Sequence, residues 1–175
     1  MQKELYIFGL FIIALTTSCI KSGNEPTDPI IGNVDLYLID NYSTVGNTCE
    51  IDESTITIEE NPIINYSEFI YYKPDLFEFK ISDSAVVRIE SLNYSTLRIP
   101  FVVMADDSIV YSGYFISGLS STTCNWTVIN PTILSGNHVL RVNLGYPGSS
   151  YEFEIPDRRN QQRLLDIFKR DNKLK

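Results

Sequence analysis

The chain has 175 residues, is 43% hydrophobic and carries a formal net charge of −8. That size suits one domain with a real core, and the apolar content with 11 tyrosines argues against disorder. Between Cys19 and Pro156 eighteen acids oppose six bases, a net −12, which disfavours nucleic acid as a partner because neutralising phosphates needs a basic surface.

In chain order the first feature is MQKELYIFGLFIIALTTSC. An apolar run from Leu5 to Leu15 follows Lys3. It is shorter than the roughly 20 residues a membrane span needs but suits a secretory leader. Small residues Thr16, Thr17 and Ser18 then precede Cys19. This resembles the lipobox of bacterial lipoproteins, in the looser form of Bacteroidota, with Thr16 where an aliphatic residue usually stands. The resemblance implies cleavage before a lipidated Cys19. An ordinary signal peptide cut nearby is the alternative. Residues 1–18 then form the signal peptide and 19–31, rich in polar residues, Gly and Pro, a flexible tether. Residues 32–175 form a single globular domain. The expected location is the cell envelope, with the outer membrane ahead of the inner, facing periplasm or the cell surface.

Residues 33–40 and 54–58 read as strands. Residues 65–75 read as a short helical or irregular turn ended by Pro74. LFEFKI, 76–81, alternates, with Phe77, Phe79 and Ile81 on one face. In SDSAVVRIESL, Ser82 or Asp83 caps a helix whose apolar positions are Val86 and Ile89. Phe101–Ala105 is continuously apolar, as for a strand buried on both faces. Asp106-Asp107 turns it into a hairpin with 109–116. NWTVIN and HVLRVNLGY are further strands, His138, Leu140, Val142 and Leu144 sharing a face. After Pro156, DRRNQQRLLDIFKRDN reads as an amphipathic helix striped by Leu164, Ile167 and Phe168 and capped by Asn172.

These elements predict an α+β fold: a single antiparallel-sheet domain with a mid-chain helix and a C-terminal helix packed on one face. A β-sandwich decorated by helices is the alternative. The segments YSEFIYYKPDLFEFKISDSA and PFVVMADDSIVYSGYF are similar to those of small Bacteroidota lipoproteins of unassigned activity, over most of the mature chain. That similarity implies an envelope setting and no particular chemistry.

Of the 3 cysteines, Cys49 and Cys124 remain after the leader. An oxidising compartment and an even count predict a disulfide between them. Their spacing, with 1 histidine in the chain, does not fit a zinc site, and no cofactor motif is present. His138 lies in line with core residues and reads as structural rather than as a catalytic base. Carboxylates cluster at Glu50, Asp52 and Glu53 and at Asp106 and Asp107. Paired, they could cleave a glycoside, but they read first as solvated turns, and no catalytic residue is assigned. The aromatic residues of the later strands read first as core; Trp126 and Tyr146, each near a turn, are the two kept open as candidates to reach a surface and contact a ligand. Asp83-Ser84-Ala85 and Asp107-Ser108-Ile109 are similar to the O-glycosylation signal of exported Bacteroidota proteins, which implies modification at Ser84 and Ser108. From Asp157 onward seven bases oppose three acids; this basic end reads as the wet face of the helix, with an anionic lipid or acidic partner as the alternative. The functional expectation is a non-catalytic binding or accessory module held to the membrane through lipid on Cys19, with an envelope protein or a glycan as partner. An envelope hydrolase using paired carboxylates and a purely structural interaction lipoprotein are the alternatives.

Overall fold

The structure is a computed structural model and describes residues 31–94, 98–148 and 155–175. The expected signal peptide (residues 1–18), Cys19 and nearly all of the expected tether lie outside the described residues. In chain order the strands are β1 (Val34–Thr44), β2 (Ile51–Ile58), β3 (Phe69–Lys73), β4 (Glu78–Ile81), β5 (Ile99–Ala105), β6 (Ser108–Phe115), β7 (Cys124–Ile129) and β8 (Val139–Tyr146). The helices are α1 (Asp83–Glu90), the four-residue α2 (Leu134–Asn137) and α3 (Gln162–Arg170). None of these helices is long and apolar enough to cross a membrane.

The strands form one eight-stranded sheet in the order β2-β1-β5-β6-β7-β8-β4-β3, antiparallel except for the β6–β7 pair. Flat, the six steps from β1 to β3 would span about 29 Å at the usual strand spacing. Leu36 and Ile64 exchange backbone hydrogen bonds at the edge of β1, 2.9 and 3.2 Å long, and β3 begins at Phe69. The connecting residues reach at most about 18 Å. The sheet is therefore curled, with its two ends drawn together.

Inside the curl lies the larger core. Phe101, Val103 and Ala105 of β5 meet Phe69, Phe79, Leu140 and Val142, and helices α1 and α3 add Ile89, Leu164, Ile167 and Phe168. A bulge opposite Val103/Met104 turns both Val110 and Tyr111 inward. The outer face is covered differently. Two irregularities in the β1–β2 ladder bend that hairpin. Its far end brings Cys49 and Ile51 against Val102, Tyr114, Trp126 and Val128. Both faces of β5 are thus buried, as its unbroken apolar run predicts.

Local signals explain most element ends. Ser82 accepts from the Ala85 N–H at 3.3 Å as the cap of α1. At the end of α3, Asn172 takes positive φ. The N–H groups of Lys173 and Asn172 then donate to the carbonyls of Phe168 and Lys169, at 2.8 and 3.1 Å. Two expectations are corrected, for residues 65–75 and for the start of α3. Residues 65–75 hold only one 3-10 turn, Tyr66–Glu68, and then continue as β3; backbone pairing with β4 on one side and the chain end on the other supplies what local propensity did not signal. Phe77 sits in the turn before β4 with φ 53°, and its half-buried ring still packs against the core that holds Phe79 and Ile81. Helix α3 starts at Gln162, since Asp157 instead binds the Arg159 N–H and guanidinium, at 3.2, 2.9 and 2.7 Å, in a local turn.

Candidate functional site

Strand β8 alternates over Leu140–Asn143. Leu144, expected on the inner face with Leu140 and Val142, is instead half-buried and lines the cleft outside, and His138, expected on that face too, precedes the strand. Leu140 and Val142 enter the inner core, while Arg141 and Asn143 point outward. Beside them stand Val128 and Asn130 from the end of β7 and Glu78 from β4, the neighbours of β8 in the sheet. These residues line a cleft of about 600 Å³ that continues over Val139, Leu144 and Arg159 to Tyr146, Pro147 and Gly148. Arg141 donates to Glu78 Oε1 from Nε (2.9 Å) and from Nη2, so the carboxylate in the cleft is already held. Arg159 lies over the Phe77 ring at 3.5 Å and donates to the Val142 carbonyl at 3.0 Å. The Arg159 guanidinium beside Asp157 holds that carboxyl below the usual aspartate range. The floor therefore combines fixed charges, the amides of Asn130, Asn137 and Asn143, and apolar patches from valine, leucine and tyrosine.

Tyr146 is the shared wall. Its single hydroxyl proton is shared between the carbonyls of Ser117 (3.2 Å) and Ser120 (3.0 Å), which fixes the ring. On its other side a second cleft of about 610 Å³ opens beside the disulfide, lined by Thr48, Arg98, Thr122, Thr123 and Asn125 among others. Cys49 and Cys124 are bonded as expected, with Cα atoms 5.6 Å apart. Asn125 Oδ1 accepts from the Cys49 N–H at 3.2 Å, tying the two chain segments together next to the bond.

The two aromatic candidates part company. Tyr146 is half-buried and borders both clefts. Trp126 does not reach a surface: it is 7% exposed in the outer core. Its indole N–H donates to Ser112 Oγ at 3.2 Å. Closeness to a turn in sequence misled here, because the bent β1–β2 hairpin covers that face.

The carboxylates do not converge on either cleft. Asp52 accepts from Ser54 within β2, beside an irregularity of the β1–β2 ladder, at 3.1 Å from N and 2.6 Å from Oγ. Glu53 accepts from both the backbone N–H (3.1 Å) and Oγ (3.0 Å) of buried Ser112, and from Arg158 at 2.7 Å. Asp106 sits at the β5–β6 turn, accepts from Asn33 N–H at 3.1 Å and pairs with Arg163 of α3. Among the described residues no group of three His, Cys, Asp or Glu side chains could hold a metal ion. His138 has positive φ, and its Nδ1 lies 3.0 Å from Asp83 at the start of α1. Ser108 is exposed beside the hairpin turn. Ser84, also exposed, donates to Glu68 Oε1 at 2.8 Å.

Sequence reasoning did not find Arg98, Asn130, Arg141 or Asn143. The outward half of the β8 alternation was the available signal for the last two; Arg98 and Asn130 come to the clefts only through strand order. No protein-family model, curated protein or solved structure matches the chain.

Proposed function

We propose that the chain is a lipid-anchored cell-envelope protein acting as a non-catalytic binding module, with its ligand seat in the cleft over β8. The observation that carries this reading is the cleft itself: about 600 Å³, with three asparagine side chains and an Arg–Glu pair above an apolar floor. Ligand seats usually occupy about 300–1,000 Å³ and combine apolar lining with a few fixed polar groups. An asparagine amide both donates and accepts. Asn130 Oδ1 is already held by the N–H groups of Gly118 and Thr132, at 3.1 and 3.0 Å, so its amino group and the amides of Asn137 and Asn143 are what can meet ligand hydroxyls. A glycan is the ligand class that suits it. The leader ending at Cys19 supports the anchor, and several acyl chains bind a membrane firmly, at about 0.8 kcal/mol per buried methylene.

The hydrolase alternative calls for two carboxylates flanking a bond. Glu78 is the acidic residue lining the β8 cleft among the described residues, and Arg141 holds it. Binding therefore fits the geometry better than acid–base cleavage. The test is calorimetry on the purified lipidated protein in detergent, titrated with oligosaccharides. Asn143→Ala should weaken a bound glycan about fivefold or more, from the loss of roughly one hydrogen bond. A ligand indifferent to that change is seated elsewhere. Acyl mass at Cys19, and loss of membrane retention in Cys19→Ala, test the anchor separately.

A further inference from the structure

The cleft beside the disulfide differs from its neighbour in charge. Among the described residues no acidic side chain lines it, although the surrounding body carries −12. It contains one cation, Arg98, with the hydroxyls of Thr48, Thr122 and Thr123 and the amides of Asn47 and Asn125 around it. Every other arginine of the chain holds a carboxylate: Arg88, Arg141, Arg158, Arg159, Arg163 and Arg170 all do. Arg98 instead lies over the Tyr114 ring, 5.4 Å from its centroid, and is exposed. Stacking orients a guanidinium while leaving its N–H fork available for a planar anion. An anion entering this cleft would meet a positioned cation, neutral donors and, among the described residues, no lining carboxylate.

Tyr146, Pro147 and Gly148 line both clefts, so the two are neighbours across one turn. A chain-like ligand seated over β8 can continue past Tyr146 to Arg98. We propose that the site takes an acidic oligosaccharide, with neutral sugar units over β8 and a sugar carboxylate bound by Arg98 in the cleft beside the disulfide. This deepens the glycan reading above and rests on it. An acidic peptide would satisfy Arg98 equally, but it would leave the asparagine-lined cleft without matching hydroxyls.

The experiment is calorimetric titration of the lipidated protein in detergent with uronic-acid and sialic-acid oligosaccharides, each also as its methyl ester. Esterification removes the charge and keeps the hydroxyls. The free acid should bind at least about tenfold more tightly than its ester at low salt, and Arg98→Gln should abolish that difference. Arg98 is exposed and held by a ring contact, so its loss spares the fold, which far-ultraviolet circular dichroism would verify. Equal binding of acid and ester, sensitive to Asn143→Ala, overturns the acidic proposal and keeps the glycan seat. No binding of any sugar overturns both, as does binding of a glutamate-rich peptide in preference to every sugar.

Discussion

Arg158 and Glu53, 105 residues apart, meet with Nη1 2.7 Å from Oε2 on the outer face of the sheet. The other oxygen of Glu53 receives both donors of Ser112, and Ser112 in turn receives the Trp126 indole N–H. This line of contacts fastens the bent β1–β2 hairpin, β6, β7 and the segment before α3 to one another. Glu53→Ala leaves a buried N–H and hydroxyl without their acceptor and Arg158 without its charge partner. Removing one member of a fully buried pair costs about 3–5 kcal/mol. The side chains here are 34% and 22% exposed, which reduces the expected loss to about 2 kcal/mol. Urea denaturation should show it, with Glu53→Gln falling between wild type and alanine.

The disulfide closes a separation of 75 residues. On the chain-entropy account that stabilises the fold by about 4 kcal/mol, chiefly by restricting the unfolded chain. Intact mass should rise by two protons on reduction under denaturing conditions. The Cys49→Ser/Cys124→Ser double variant should unfold at a clearly lower urea concentration. An unchanged mass would show that the thiols are not joined.

Much of the scaffold was legible because its signals are local. The alternation in β4 and β8, the continuous apolar run of β5, the Ser82 cap and the stripe of α3 each need a window of a few residues. The site was not legible because it is assembled by strand order. Glu78 meets Arg141 only because β4 returns beside β8, 63 residues away. Arg98 reaches the disulfide by the same kind of long-range pairing. The adjacent Asp52 and Glu53 looked like one acidic cluster, yet each is tied up with a different partner. Trp126 shows the opposite failure, since a residue close to a turn was buried by a hairpin folding over it from elsewhere in the chain.

Acid should loosen the structure. Burial of Glu68 opposes its ionisation, but donors from Arg88, Ser84 and the Asn65 backbone outweigh this and hold the carboxyl below 4.5. Arg159 lowers Asp157. Arg170, with help from Tyr66, pulls Asp171 from 3.8 to about 2. A carboxyl depressed in the folded state contributes stability that is complete above its unfolded value and disappears as pH falls through its folded value. Asp35 works the other way: burial raises it, and protonation relieves a cost. With three groups against one, the urea midpoint should fall between pH 5 and pH 2. Glu68→Gln should make that decline shallower; an identical slope would remove Glu68 from the account.

The end of the chain is a working part of the sheet. Tyr72 N–H donates to the Lys173 carbonyl at 2.8 Å, and Lys175 N–H donates to the Tyr72 carbonyl at 2.9 Å. Lys173 Nζ donates to the Tyr66 carbonyl at 2.8 Å and lies 4.1 Å from the Tyr66 ring centroid. At about 1 kcal/mol for each of these three hydrogen bonds, with a smaller cation–π contribution and the packing of Leu174 against the core, deleting residues 173–175 should cost about 3–4 kcal/mol. It should also release the Tyr72 amide to fast hydrogen exchange. Deleting 157–175 is a different perturbation, because it removes Leu164, Ile167 and Phe168 from the core. At about 1.5–3 kcal/mol for each side chain, that loss rivals the whole stability of a domain. Loss of a partner after that deletion would report unfolding rather than a binding surface. Lys169 and Lys175 are exposed, so the informative change is Lys169→Glu with Lys175→Glu. If the basic end docks on an acidic partner or an anionic membrane, that pair should weaken binding and leave the urea midpoint where it was. Unchanged binding would place the end of the chain in the fold alone.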